Sequence, residues 1–240
     1  MKERIGCIML TNTTNLEKYG VTQRAIHTLL WSEPETEFII IPVESNKEAF
    51  NQGFIYDMNN PNIDTITPKE SFGYNKFLNI GLNMLKVYEP KLPEWTIIAN
   101  NDIIFTQKWL SKMLNWQKNN PDVLSLSPWE PNWHMKRGLD PFHGPYIGYR
   151  TSFEITGWCL VINREVIQKC NLFDPQFEFW YQDNDYALTL EQAKIKHALI
   201  PQSRVYHMVS ATHDTIDKTK FHKMTDGQLE VLKRKWPNLT

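Results

Sequence analysis

The feature that most constrains this chain is an alternation: short apolar runs, each closed by a polar cluster, are separated by segments with helical spacing. Ile5–Leu10 ends in Thr11-Asn12-Thr13-Thr14-Asn15, the run 37–43 ends in Glu44-Ser45-Asn46, and 95–99 ends in Asn100-Asn101-Asp102. Between them, 18–31 carries Ile26, Leu29 and Leu30 on one face, and a second helical pattern covers 74–86. A helix over 107–118 and a strand over 122–127 complete the set. This order predicts an α/β fold with a mostly parallel central sheet flanked by helices. In open sheets of this kind, ligands bind beyond the carboxyl ends of the strands, where all three polar clusters fall.

The second half is patterned differently. Residues 128–150 are rich in Pro, Trp and Gly and show no clean period. Beyond them the pattern predicts a strand over 153–162, a short helix over 164–170 and a helix opened by Asp183-Asn184-Asp185. Short strands at 198–200 and 205–207 follow, then a helix over 227–236 with Leu229 and Leu232 facing inward. No repeat, low-complexity tract or linker interrupts the chain, so one domain over 1–240 is the simplest expectation.

Charge narrows the partners. Lys plus Arg is 26 against 27 for Asp plus Glu, which argues against a protein that binds DNA chiefly by neutralising phosphates. The three cysteines form no CxxC pair and sit in or beside apolar runs, as buried reduced thiols do. No apolar run approaches the roughly 20 residues that span a bilayer, and Met1-Lys2-Glu3-Arg4 leads into a strand rather than a signal-peptide core. The expectation is a soluble, cytoplasmic protein.

Four segments can carry chemistry. In Ile97-Ile98-Ala99-Asn100-Asn101-Asp102 a strand delivers a carboxylate to the sheet edge, either as a hard-cation ligand or as the cap of the next helix. In Trp180-Tyr181-Gln182-Asp183-Asn184-Asp185 two acids follow an aromatic run; one can act as a general base, and either can cap a helix. His207 stands at a strand end, as a structural imidazole or as a metal ligand reached from a late strand. Gly73-Tyr74-Asn75-Lys76, with Asn79, opens either a plain helix or a phosphate-facing one; it is neither a Walker loop nor a dinucleotide fingerprint.

Together and in this order the segments resemble the GT-A glycosyltransferases, in particular their large inverting, non-processive family 2 type, over about 5–212. The resemblance implies a Rossmann-like sheet with an acceptor-side elaboration. Residues 1–127 would then bind the nucleotide sugar, and 128–240 would bind the acceptor and catalyse. Thr11, Asn12 and Glu44 take the positions of nucleoside contacts; Phe77-Leu78-Asn79-Ile80-Gly81-Leu82 matches an Ala-Arg-Asn-x-Gly-Leu helix with the Arg replaced. Asn75, Lys76, Asn79, Asn100 and Asn101 join the donor-binding set. Asn100-Asn101-Asp102 stands in for the DXD motif with Asp102 as the ligand, and His207-Met208-Val209-Ser210 supplies a further metal contact, for Mn²⁺ or Mg²⁺. Gln182-Asp183 replaces a Glu-Asp pair, giving Asp183 the role of base, with Trp158, Trp180, Tyr181 and Asp185 on the acceptor side. The implied acceptor is a glycan or, through His134, Lys136, Arg137 and His143, an anion such as modified DNA. A nucleotidyltransferase and a non-catalytic sugar- or nucleotide-binding module are the competing classes.

Overall fold

The computed structural model describes residues 4–57, 59–170, 172–208 and 218–237. The first half alternates as its pattern predicts: β1 (Arg4–Thr11), α1 (Leu16–Ser32), β2 (Glu37–Glu44), α2 (Tyr74–Tyr88) and β3 (Trp95–Asn100). Then come β4 (Ile103–Phe105), α3 (Trp109–Lys118), β5 (Val123–Trp129), α4 (Pro131–Lys136) and β6 (Tyr146–Ile147). The chain continues through β7 (Cys159–Asn163), α5 (Arg164–Lys169), α6 (Gln182–Gln192), β8 (Lys196–His207) and α7 (Lys218–Lys235).

Local chemistry sets the boundaries. Asn15 opens α1 by accepting the backbone N–H of Lys18 at 2.9 Å, and Thr22, Ala25, Ile26 and Leu29 form its buried stripe. The Ile39-Ile40-Ile41 run makes β2 a strand buried on both faces. Along β3, Trp95, Ile97 and Ala99 join one core and Ile98 the other, the two-residue alternation of a strand. The first core holds the apolar faces of α1 and α3; the second holds those of α2, α5 and α6. Helices therefore cover both faces of the sheet, and each fully buried Phe or Leu contributes about 1.5–3 kcal/mol. Gly81 lets α2 lie flat on the sheet, because a Cβ there would stand 2.6 Å from Ile8 Cγ2 and 3.1 Å from Val43 Cγ2.

The sheet order is β2-β1-β3-β7-β5-β8-β4, with β6 beside β8. Strands β2, β1 and β3 are parallel, β5 and β8 are parallel, and β7 runs against both β3 and β5. The carboxyl ends of β1, β2 and β3 thus share one edge. β7 starts at that edge, where Cys159 pairs with Ala99. β4 and β8 are antiparallel, with Ile103 opposite His207. This pairing brings the residue before β4, Asp102, to the end of β8.

Several expectations change. The strand predicted over 153–162 is the shorter β7, because 153–158 turns before entering the sheet. The two short strands near 198–207 are one twelve-residue strand, β8, whose pairing with β5 shifts register at Pro128 and Trp129. The segment without a period contains α4, opened by Pro131 with Glu130 accepting the Trp133 N–H, and the short β6. Asp102 leads into β4 and caps no helix; α3 begins after Lys108, which is in the left-handed region at φ 58°. The cap position of α6 is Tyr181, also left-handed at φ 60°, so Asp183 and Asp185 lie inside the first turn, where the helix dipole favours acids. Cys7 and Cys159 are buried free thiols, whereas Cys170 is partly exposed. Ser210 and the rest of 209–217 lie outside the described residues.

Candidate active site

Asp102 and His207 meet where β4 and β8 pair. The His207 ring nitrogen Nε2 lies 3.2 Å from Asp102 Oδ1, and Met208 N–H donates to the Asp102 carbonyl at 3.0 Å. Asn100 Nδ2 is 3.5 Å from the same imidazole nitrogen. Trp158 stacks on the His207 ring at 5.6 Å between centroids and accepts the Asn100 N–H on its carbonyl at 2.9 Å. One carboxylate, one imidazole and one amide therefore sit together on the edge that the sheet topology reserves for ligands. Among the described residues no group of three or more His, Cys, Asp or Glu converges. This donor set fits a divalent cation that shares its coordination with phosphate and water, which needs one or two protein ligands.

Asp183 stands across the Gly157-Trp158 peptide from this group. A Cβ on Gly157 would come within 3.3 Å of Asp183 Cβ, so a larger residue there would press Asp183 aside by a few tenths of an ångström. The carboxylate accepts the Asn184 N–H at 3.0 Å, and burial pushes its pKa above the usual carboxylate range. Tyr74, the first residue of α2, donates its hydroxyl to the Gly157 carbonyl at 3.1 Å. Burial raises the Tyr74 phenol, and the charge of Asp183, the Cys159 thiol and the charge of Asp102 raise it further. The ring therefore lies within electrostatic reach of both carboxylates.

At the β1 and β2 tips the polar groups serve one another. Buried Glu44 accepts the Thr11 hydroxyl at 2.8 Å, the Thr13 N–H at 3.0 Å and the Asn46 N–H at 2.7 Å. Thr13 also bonds the Tyr56 hydroxyl. Asn12, between Thr11 and Thr13, is exposed. Glu44 is thus the post that shapes this loop, and Asn12, with Thr14 and Asn15, is among the side chains the loop exposes.

The other predicted donor contacts are placed as follows. Asn75 and Asn79 donate to the carbonyls of Asp174 and Phe173, at 3.0 and 2.8 Å, and tie α2 to the segment ahead of α6. Lys76 donates to the Ser71 carbonyl, and Asn101 to the Thr22 hydroxyl at 2.8 Å. None of these four is brought against the Asp102 and His207 pair by a described contact. On the acceptor side, Trp180 and Tyr181 are partly exposed at the mouth of α6, with Phe179 edge-on to Trp180.

Asp185 is buried and bound by α7: Lys235 Nζ approaches Oδ1 at 2.9 Å, and Trp236 Nε1 donates to Oδ1 at 2.8 Å. Lys235 also pairs with Asp174 at 2.9 Å. Burial would raise Asp174, but Lys235 and the Gln176 N–H hold it below the usual range; at Asp185 burial wins and the net shift is upward. Arg234 and Gln228 add bonds to Gln176, and Gln228 accepts the Glu178 N–H. Sequence reasoning found α7 but not this clasp, because its partners lie about fifty residues away. Tyr74 was inside a segment singled out for its glycine and lysine, yet no motif marks an aromatic at a helix start.

The aromatic segment divides. Trp129 and His134 are fully buried and stacked on each other at 4.8 Å, which removes His134 from any acceptor-facing set. Arg137 lies 3.5 Å over the Trp133 ring, and Phe142 is 90% exposed. Two surface depressions, one around His27 and Trp31 and one around Pro68 and Met84, are not lined by Asp102, Asp183 or His207. The converging side chains mark the site better than the hollows do.

No family model matches the sequence, and no curated protein sequence matches it. The structure does have likenesses. GalNAc-T7, solved with UDP, GalNAc and Mn²⁺, superposes with a TM-score of 0.63 at 13% identity, over 86% of this chain and 43% of that one. The fold is GT-A. The mannosyltransferase PcManGT from Pyrobaculum calidifontis, in complex with GDP-Man and Mn²⁺, gives the same TM-score and identity over 88% of this chain and 59% of its own. At that identity the likeness establishes architecture, and the chain spans less than two thirds of either neighbour. Among the described residues no helix is long and apolar enough to cross a membrane.

Proposed function

We propose that this chain is a metal-assisted glycosyltransferase that moves a sugar from a nucleoside diphosphate to an acceptor hydroxyl, with inversion at the anomeric carbon. The observation that carries the reading is the pairing, on one edge of a GT-A sheet, of the Asp102 and His207 couple with Asp183 across the Gly157-Trp158 peptide. Asp102 and His207 would hold Mn²⁺ or Mg²⁺, with Asn100 alongside; a nitrogen ligand suits the transition ion better than oxygen-seeking Mg²⁺. When bound, the cation neutralises charge on the diphosphate.

The remaining work falls to side chains of this chain. Asn12, exposed on the loop that Glu44 braces, would meet the nucleoside. Trp180 and Tyr181 offer ring faces to an acceptor glycan. Asp183 takes the proton of the acceptor hydroxyl as that oxygen bonds to the anomeric carbon. The bond from that carbon to the diphosphate oxygen breaks, and its electron pair leaves with the nucleoside diphosphate. Partial burial makes Asp183 a stronger base than an exposed carboxylate.

The test is product analysis with UDP- and GDP-linked sugars and a panel of glycan acceptors in Mn²⁺. The proposal expects nucleoside diphosphate release matched by acceptor glycosylation. Pyrophosphate release would instead indicate a nucleotidyltransferase, and nucleotide binding without turnover would indicate a binding module.

A further inference from the structure

Tyr74 has no role of its own in the segment that opens α2, yet its hydroxyl reaches the peptide between the two groups of the site. On one side of that peptide, Trp158 stacks on His207 and its carbonyl accepts the Asn100 N–H. On the other side, the bare Cα of Gly157 leaves the space that Asp183 fills. The Gly157 carbonyl accepts the Tyr74 hydroxyl at 3.1 Å. The base of Tyr74 is itself anchored, because its backbone N–H donates to the Glu178 carbonyl at 2.6 Å, five residues before Asp183. α2 is in turn pressed onto β1 and β2 at Gly81. A rigid helix thus reaches the 178–183 segment through its backbone and the 157–158 peptide through its side chain.

We propose that Tyr74 is a positioning residue, whose hydroxyl bond to Gly157 fixes the placement of Asp183 relative to the Asp102 and His207 pair. The proposal rests on the transfer reaction proposed above for the role of those groups, and on the structure alone for their placement. The physical reason is leverage. A reacting group displaced by about an ångström can lose a hundredfold in rate without touching ground-state binding. Removing one hydroxyl takes a partner from the part-buried Gly157 carbonyl and frees the 157–158 peptide to shift.

Two variants separate this from a general loss of fold. Tyr74→Phe keeps the ring and removes the bond; Gly157→Ala keeps Tyr74 and crowds Asp183 directly. The expected result is a kcat lower by about tenfold for Tyr74→Phe and about a hundredfold for Gly157→Ala. Mn²⁺-dependent binding of UDP or GDP should stay within about twofold in both, because Asp102, His207 and the β1 loop are unaltered. Unchanged kcat in Tyr74→Phe would overturn the proposal whatever Gly157→Ala does, and so would a loss of nucleotide affinity equal to the loss of kcat. Crystal structures of wild type and Tyr74→Phe give a readout that needs no turnover. Movement of the 157–158 peptide and Asp183 away from Asp102 supports the positioning role, and superposable geometry refutes it. If wild type transfers no sugar, the proposed function falls while this structural comparison still decides the role of Tyr74.

Discussion

Two carboxylate regions on the same sheet edge are built to opposite rules. Glu44 is buried and surrounded by donors of its own chain, with Thr11, Thr13 and Asn46 all directed at it. Asp183 is partly exposed, accepts the neighbouring Asn184 N–H and is raised by burial, while Asp102 has an imidazole for its neighbour. A carboxylate that accepts from the donors of its own loop holds that loop in shape, since each bond it accepts satisfies a group that folding removed from water. Asp102 beside an imidazole, and Asp183 raised by burial with no cation of this chain bonded to it among the described residues, are the two carboxylates to which the proposed function gives a ligand and a proton. Asp185 shows that sequence proximity does not decide the matter. Two residues from Asp183, it is held by Lys235 and Trp236 and belongs with Glu44.

That contrast can be broken by substitution. The largest effect is expected at Asp183→Asn, which should lower kcat by about a thousandfold or more, within the range general-base removal produces. Nucleotide binding should stay near wild type by calorimetry, and wild-type turnover would remove Asp183 from the chemistry. Lys235→Met should act on stability instead. It leaves Asp174 and Asp185 facing each other without their cation, at a cost of about 2–4 kcal/mol, below a fully buried pair because Lys235 is partly exposed. Denaturant unfolding measures it, and a loss below about 0.5 kcal/mol would mean that α7 is not clasped as described.

The clasp also carries a pH signature. Burial lowers Lys235, but its bonds to Asp174 and Asp185 outweigh that and raise it, so its contribution is complete below its unfolded pKa and disappears as pH rises through the folded value. Asp174 is lowered, so its share is present above its unfolded pKa and fades as pH falls through the folded value. Asp185 is raised and opposes Asp174 on the acid side: its contribution is complete at low pH and lost as pH rises. The difference in stability between wild type and Lys235→Met should therefore shrink in strong alkali; a constant difference there contradicts the assignment.

A smaller effect is expected at Asp102→Ala, which should weaken Mn²⁺-dependent nucleotide binding by at least about tenfold, because even partners beyond the metal's own ligands contribute that much. Metal-independent binding should be spared. Glu44→Gln should cost about 1–3 kcal/mol of stability with little direct effect on turnover, as its new amide hydrogens face donors where the carboxylate accepted them. If Glu44→Gln instead abolished donor binding at unchanged stability, Glu44 would move from the scaffold group to the ligand group.

Much of the architecture was legible because strand and helix periods are local. The runs ending at Thr11, Glu44 and Asn100 predict both the parallel strands and the edge they share; GT-A in particular is implied only by the resemblance of the motifs. Pairing was not legible. Nothing in Ile103-Ile104-Phe105 announces a strand that will sit opposite Val205-Tyr206-His207, yet that ladder is what puts Asp102 beside His207. Helix caps misled for a related reason: Tyr181 and Lys108 adopt left-handed backbone at positions where an acid or a polar residue would be the ordinary choice. The roles of Asn75 and Asn79 were read from a motif, whereas the structure turns both amides toward carbonyls near α6. Gly81 in the same motif has a packing reason that any sequence with this helix on this sheet would need.

The most direct measurement is calorimetric titration of UDP, GDP and dTDP into wild type and Asp102→Ala, each with and without Mn²⁺. The account predicts that one nucleotide binds wild type in a metal-dependent manner and that Asp102→Ala loses that dependence. Metal-independent binding of equal strength in both proteins, or no binding of any of the three, would contradict it.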